Sequence, residues 1–109
     1  VELKRGDIVT VALQGLFGDS RPALVVQADL FSGHPSVTVL PVTTELLDVN
    51  LFRIALQPDP GNGLQAPSQL MIDKPQCVPR DAISGVVGKL DEATMKQVNQ
   101  ALSTFLGLA

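Results

Sequence analysis

In the stretch GDSRPALVVQADLF, Gly18 to Phe31, an arginine stands on a proline at the mouth of an apolar run, with a glycine-bearing loop just before it. A guanidinium so placed has two ordinary uses. It can cover a strand end in solvent, as most surface arginines do, or it can present forked donors to two oxygens of a phosphate group. Composition does not choose between them. Other reactive side chains are sparse. His34, the single histidine, lies in the turn sequence SGHP. Imidazole is the usual proton shuttle near neutral pH, but a plain turn residue is the simpler reading. One histidine excludes a His–His couple within the chain, so no metal site is expected. Cys77 is the single cysteine, with no partner for a disulfide, metal or redox pair. It reads as a packed or incidental thiol rather than a nucleophile.

The elements that must position Arg21 follow from periodicity. IVTVAL, residues 8–13, is rich in β-branched residues and predicts a first strand. QGLFGDS, residues 14–20, carries two glycines and an Asp-Ser pair, a loop of hairpin length. RPALVVQ begins a second strand, where proline is tolerated at the start and forces Arg21 into extended backbone. SVTVLPV, LFRIAL, PSQLMID and SGVVGKL predict four further strands. Alternation points Arg53 away from Phe52 and Ile54. The last segment, DEATMKQVNQALSTFLGL, predicts a helix with Asp91 as N-cap and Gly107 as terminator. Met95, Val98, Leu102 and Phe105 form its apolar stripe. The expected whole is a mainly β fold, a small barrel with a C-terminal helix packed on it.

Bulk properties narrow the class. A sequence of 109 residues, 45% hydrophobic and 17% charged, suits a single domain, 1–109, with one core. No window approaches the roughly 20 apolar residues that span a bilayer, and no basic-then-apolar leader opens the sequence. A cytoplasmic protein without a membrane partner is expected. Eight Lys and Arg against eleven Asp and Glu give a net charge of −3, which by itself argues against binding nucleic acid. A local cluster of cations would reverse that argument. High apolar content with few charges also suggests a self-association surface.

Four blocks, in order along nearly the whole chain, carry a family resemblance. KRGDIVTVALQGLFGDSRPALVVQADLF resembles the opening of MazF/PemK-type toxins of bacterial toxin–antitoxin systems. LPVTTEL is similar to the third-strand ending with paired threonines, APSQLMIDKPQCVPR to the strand of pattern S-x-[IL]-x-x-[DN], and VVGKLDEATMKQVNQALSTFLGL to the terminal helix. The resemblance implies an SH3-like β-barrel that pairs as a homodimer and binds a cognate antitoxin. It also implies metal-independent, sequence-specific cleavage of single-stranded RNA, with no cofactor.

Such cleavage needs three acts: the 2′-hydroxyl loses a proton, charge on the phosphorane is stabilised, and the leaving 5′-oxygen gains a proton. By resemblance the catalytic residues are Arg21, Thr43 and Asp73. The guanidinium holds its proton too tightly for ordinary acid–base work, so charge stabilisation suits Arg21. Thr43 matches the threonine that donates a hydrogen bond to the scissile phosphate. Asp73 matches an acidic position that some members use as base, though Asp before Lys-Pro is also an ordinary turn residue. In the PemK branch an arginine lies two residues before that acid; here it is Met71. Arg53 or Lys74 could supply the missing charge, or each could be a solvated face residue. The candidate RNA-binding residues are Gln14, Phe17, Arg53, Lys74 and Arg80. The loop with Gln14 and Phe17 leads directly into Arg21. Phe17 could stack on a base, fold back on the core or meet the antitoxin.

A second reading stays open. Proteins of the CcdB branch share the fold and poison DNA gyrase through protein contacts. The acidic charge and Met71 favour that reading. The Arg21-Pro22-Ala23 and Thr43-Thr44 blocks and the absence of tryptophan favour the ribonuclease. A toxin that retains only dimer and antitoxin binding is the third option. If RNA is the substrate, Arg21, Arg53, Lys74 and Arg80 should share one face.

Overall fold

The structure is a computed structural model that describes residues 2–12 and 20–108. Seven strands form one antiparallel sheet: β1 (Asp7–Ala12), β2 (Ser20–Val25), β3 (Ser36–Thr43), β4 (Arg53–Leu56), β5 (Ser68–Met71), β6 (Gln76–Pro79) and β7 (Ile83–Lys89). The strand order is β4-β5-β3-β2-β1-β7, with β6 paired to β3 off that path. One helix, α1 (Glu92–Phe105), follows the last strand.

The largely apolar runs of β1, β2 and β3, interrupted by Thr10 and Thr38, have a physical reason: over much of their length both faces of these strands are buried. A strand covered on one side alternates apolar and polar residues, whereas one covered on both sides does not. Val9, Val11, Ala23, Val25, Val37, Val39 and Val78 pack together on one face. Ile8, Leu24, Leu40, Val42, Leu56, Leu70 and Ile72 pack on the other, beneath Val98 of the helix. Small β-branched residues fill the valine face, and larger leucines meet the helix.

The helix is terminated as its sequence suggests. Thr94 donates its backbone N–H to Asp91 Oδ1 at 2.6 Å. Gly107 adopts φ 74°, and the amides of Gly107 and Leu108 bond back to Thr104 and Ser103 at 3.2 and 2.8 Å. This is the paired bonding of a left-handed helix end. The apolar stripe is shorter than expected. Met95, Val98, Ala101 and Leu102 reach the core, while Phe105 remains 48% exposed.

Two strand boundaries and one whole strand depart most from expectation. The ladder of β5 ends at Met71, because Lys74 N–H turns back to Met71 O at 3.3 Å. Strand β4 begins at Arg53 rather than Leu51. Strand β6 was not expected at all: four residues between Pro75 and Arg80, ending in a proline, carry no strand signal of their own. The partner β3 recruits them.

The expected barrel is seen only as an antiparallel sheet with an open pairing path, since among the described residues β4 and β7 do not pair. The loop from β4 to β5 bridges these edges instead. Lys89 N–H donates to Gly61 O at 2.9 Å. Buried Asn62 braces the loop, donating from Nδ2 to Gln57 O at 2.8 Å and accepting at Oδ1 from the amides of Asp59 and Leu64. A Cβ added at Gly88 would collide with the backbone of Asn62, which cannot swing aside as a side chain could. Gly33 has open space and an ordinary backbone.

Gly88→Ala should therefore lose about 1–3 kcal/mol in urea unfolding, whereas Gly33→Ala should stay within about 0.5 kcal/mol of the parent. The helix cap makes a second expectation. The Thr94 amide lowers the Asp91 pKa below the ordinary 3.8. A depressed acid contributes stability above its unfolded-state pKa and loses it as pH falls through the folded-state value. Asp91→Asn keeps the cap but cannot titrate. The difference in thermal midpoint between parent and Asp91→Asn should be constant above pH 5 and shift against the parent below about pH 4.

Candidate active site

The site is built by register. Side chains directly opposite in an antiparallel ladder point to the same face. Strand β2 sets Ala23 opposite Pro41 of β3, and β3 sets Thr43 opposite Gln69 of β5. Strand β5 in turn sets Gln69 opposite Ala55 and Met71 opposite Arg53 of β4. Arg21, two residues before Ala23, lies opposite Val11 and shares the face of Val9 and Val11. Pro41 and Thr43 continue the face of Val37 and Val39. The valine face thus runs out at one end into polar residues: Arg21, Thr43, Gln69 and Arg53.

A cavity of about 620 Å³ opens there. Three cations line it, Arg21, Arg53 and Lys74, along with Thr43 and one carboxylate, Glu45; Met71 and Gln76 are also in its wall. On a chain of net charge −3 this is a local reversal of sign. Cations gathered in a concave wall attract anions more strongly than the same charges dispersed.

Each polar group has a defined state. Glu45 N–H donates to Thr43 Oγ1 at 3.0 Å. The hydroxyl therefore accepts from its own loop and keeps its hydrogen for another acceptor. Arg53 is half-buried and donates from Nη1 to Gln69 Oε1 at 2.9 Å and to Glu45 O at 3.2 Å. Its Nε is buried without a partner among the described residues. Arg53 is thus no solvated face residue. Arg21 is exposed, with no hydrogen bond or ion pair among the described residues, so its donors face the opening uncommitted.

The acid of the expected catalytic set sits apart. Asp73 lies in the turn after β5, off the cavity wall, where Lys74 Nζ stands 3.5 Å from its Oδ2. Its Oδ1 is buried without a partner among the described residues. Arg80 also leaves the group: its Nε and Nη2 both donate to His34 O, at 3.1 and 2.9 Å. Three of the four cations converge, and the fourth holds a turn. His34 belongs to that turn, with Nδ1 accepting from Ser36 N–H at 3.0 Å. Cys77 is exposed beside Thr38 Oγ1. Gln14 and Phe17 lie outside the described residues.

Sequence reading passed over three residues at the site: Glu45, Gln69 and Gln76. Glu45 directly follows the paired threonines, which is a signal of sorts. Gln69 and Gln76 become visible only through their cross-strand partners, Thr43 and Val39.

The arrangement has the chemistry of a phosphodiester site: uncommitted guanidinium donors, a neutral hydroxyl donor and a carboxylate in one concave wall. Comparison with known proteins agrees. The chain is 45% identical over 108 residues to a probable endoribonuclease MazF of Mycolicibacterium smegmatis, covering 98% of this chain and 99% of that one. Its fold is similar to an endoribonuclease solved with its cognate antitoxin from a mycobacterial species, with a TM-score of 0.81 and 25% identity over 98% of this chain and 97% of that chain. It is also similar in fold to the Mycobacterium tuberculosis toxin MazF-mt6, with a TM-score of 0.79 and 22% identity over 93% and 96% of the two chains. Residues 4–106 match the family of PemK-like, MazF-like toxins of type II toxin–antitoxin systems, and the chain belongs to that family.

Proposed function

We propose that this protein is the toxin of a type II toxin–antitoxin pair and cleaves single-stranded RNA endonucleolytically, without a metal. The observation that carries the reading is the convergence of Arg21, Thr43, Arg53 and Lys74 on one cavity. The 2′-oxygen attacks the adjacent phosphorus, the bond from phosphorus to the 5′-oxygen breaks, and the products are a 2′,3′-cyclic phosphate and a 5′-hydroxyl. Arg21 stabilises charge on the phosphorane through its fork. Thr43 donates its free hydroxyl hydrogen to a phosphate oxygen. Arg53 and Lys74 hold neighbouring phosphates. Arg80, engaged with His34, has no part in this scheme.

The proton from the 2′-hydroxyl needs an acceptor within hydrogen-bond reach. Resemblance points to Asp73, but Glu45 stands on the cavity wall and Asp73 does not. We assign the role to Glu45. The leaving 5′-oxygen takes its proton from Glu45 after transfer, or from water.

The other expected properties follow from the same reading. The toxin works as a homodimer in the cytoplasm, where its RNA is and where exposed Cys77 stays reduced. A cognate antitoxin restrains it. Leu30, Leu51, Leu106 and Leu108, each more than half exposed, are surfaces for such partners. The Asn62 loop reaching β7 is consistent with the SH3-like barrel that the family resemblance implies. The gyrase-poison reading is not favoured, since the family and the relative of 45% identity lie on the endoribonuclease branch.

Purified protein with excess EDTA should cut a long, mostly unstructured RNA at one repeated short sequence, leaving 5′-hydroxyl ends. Arg21→Ala should lose about 10²–10³-fold in rate, the usual cost of one charge-stabilising donor. Thr43→Val should lose about tenfold or more while unfolding like the parent. Cuts made by Arg21→Ala at close to the parent's rate would refute the scheme. Glu45→Gln should lower kcat and remove the acid limb of the pH–rate profile, where a base is lost by protonation. Asp73→Asn should leave that limb in place; the reverse pattern would return the role to Asp73.

A further inference from the structure

Gln69 does not line the cavity, yet its side-chain amide touches two things that shape it. Oε1 accepts from Arg53 Nη1 at 2.9 Å and from Leu47 N–H at 3.0 Å. Nε2 donates to Leu47 O at 2.8 Å. The residue sits at the middle of β5, opposite Thr43 on one side and Ala55 on the other. One neutral amide therefore joins the strand behind Thr43, the guanidinium of Arg53 and the exposed segment that carries Glu45. The Arg53 donation to Glu45 O at 3.2 Å closes the circuit.

We propose that Gln69 is the positioning residue for Arg53 and for the segment after Thr43, and that through Arg53 it sets the strength of RNA phosphate binding. The inference rests on the ribonuclease reading above. A glutamine suits the task physically. Long arginine side chains carry about 2 kcal/mol of rotamer entropy, so an exposed one holds no fixed direction. Gln69 takes up one Nη1 hydrogen and Glu45 O the other, which leaves Nη2 for a ligand. Its acceptor is neutral, so the full positive charge stays available to phosphate; a carboxylate here would pair with Arg53 and neutralise it. Its amide also uses donor and acceptor on the same backbone unit, Leu47, which fixes the amide plane and with it the bond to Arg53.

The test is the salt dependence of RNA binding, which a purely structural role would not move. The probe is a mixed-sequence single-stranded RNA, fully 2′-O-methylated so that it cannot be cut. Each phosphate neutralised contributes about 0.7 to the slope of log affinity on log salt for a single strand. Arg53→Ala should lower the slope by about 0.7. Gln69→Ala and the volume-keeping Gln69→Leu should lower it in the same direction, although neither changes the protein's charge. Either should weaken binding about three- to tenfold in the parent and less than about twofold on an Arg53→Ala background, the non-additivity expected of residues acting through one another. Urea unfolding of each variant checks that it folds.

An unchanged slope in folded Gln69→Leu would overturn the proposal, as would equal losses with and without Arg53. A parent protein that binds this RNA with no salt dependence would overturn the ribonuclease reading itself. The two failures are thus told apart by the parent's own slope.

Discussion

The antiparallel register that sets Ala23 against Pro41, Thr43 against Gln69 and Met71 against Arg53 decides which side chains can meet at the cavity. Side chains alternate with period 2, so a slip of one residue would send Arg53 into the helix-covered core and bring Ile54 to the cavity. Hydrophobic burial prevents that slip. Val42, Leu70 and Ile54 form the row beneath, packed toward α1, and the leucine-rich face cannot exchange places with the polar row without exposing that core. The site's geometry is therefore enforced from below, by apolar contacts that take no part in its chemistry.

That enforcement explains how an acidic chain can present a cationic cavity. Charges placed by a rigid sheet need not find one another by chance; the strands carry them to one end of the valine face. Half-burial of Arg53 has a cost, because a buried N–H without a partner is unfavourable by about 1–3 kcal/mol. Nη1 is held by Gln69 and Glu45 O, so Nη2 is the donor left for an anion in the cavity. Thr43 is arranged on the same logic. Its oxygen is already occupied by the Glu45 amide, so the only hydrogen-bonding capacity facing outward of use to a phosphate is its proton.

Much of this was legible in the residues, and the limits are instructive. The runs IVTVAL and RPALVV announced β1 and β2, and Asp91 and Gly107 announced the ends of α1, because each of these signals is local. Strand β6 was invisible because its pairing comes wholly from β3. Phe105 continued a helical stripe in sequence, but the leucine-rich core that takes Met95, Val98 and Leu102 does not include it. Arg53 shows the limit most clearly. Alternation correctly turned it away from Phe52 and Ile54, yet could not say whether solvent or a cavity lay on the other side. A face can be read from one strand; what covers the face needs the register of several. Gln69 was missed for the same reason, since its partners Arg53 and Leu47 lie on other segments.

Met71 illustrates why a departure from a family pattern need not empty a site. The PemK-like pattern places an arginine at this point of β5, and here an apolar residue stands there. Directly across the ladder is Arg53, and both side chains line the cavity. Opposed residues have Cβ atoms only about 4.5–5.5 Å apart, less than the reach of an arginine side chain. A guanidinium rooted on β4 can thus serve nearly the same space as one rooted on β5. The exchange is not neutral, because the donor now arrives from the other side and leans on Gln69 and Glu45 O for its direction. A charge moved across a strand pair needs a new support, and the amide of Gln69 is placed to provide it. Under the proposed reaction, a cation at that height on that face can come from either of two neighbouring strands.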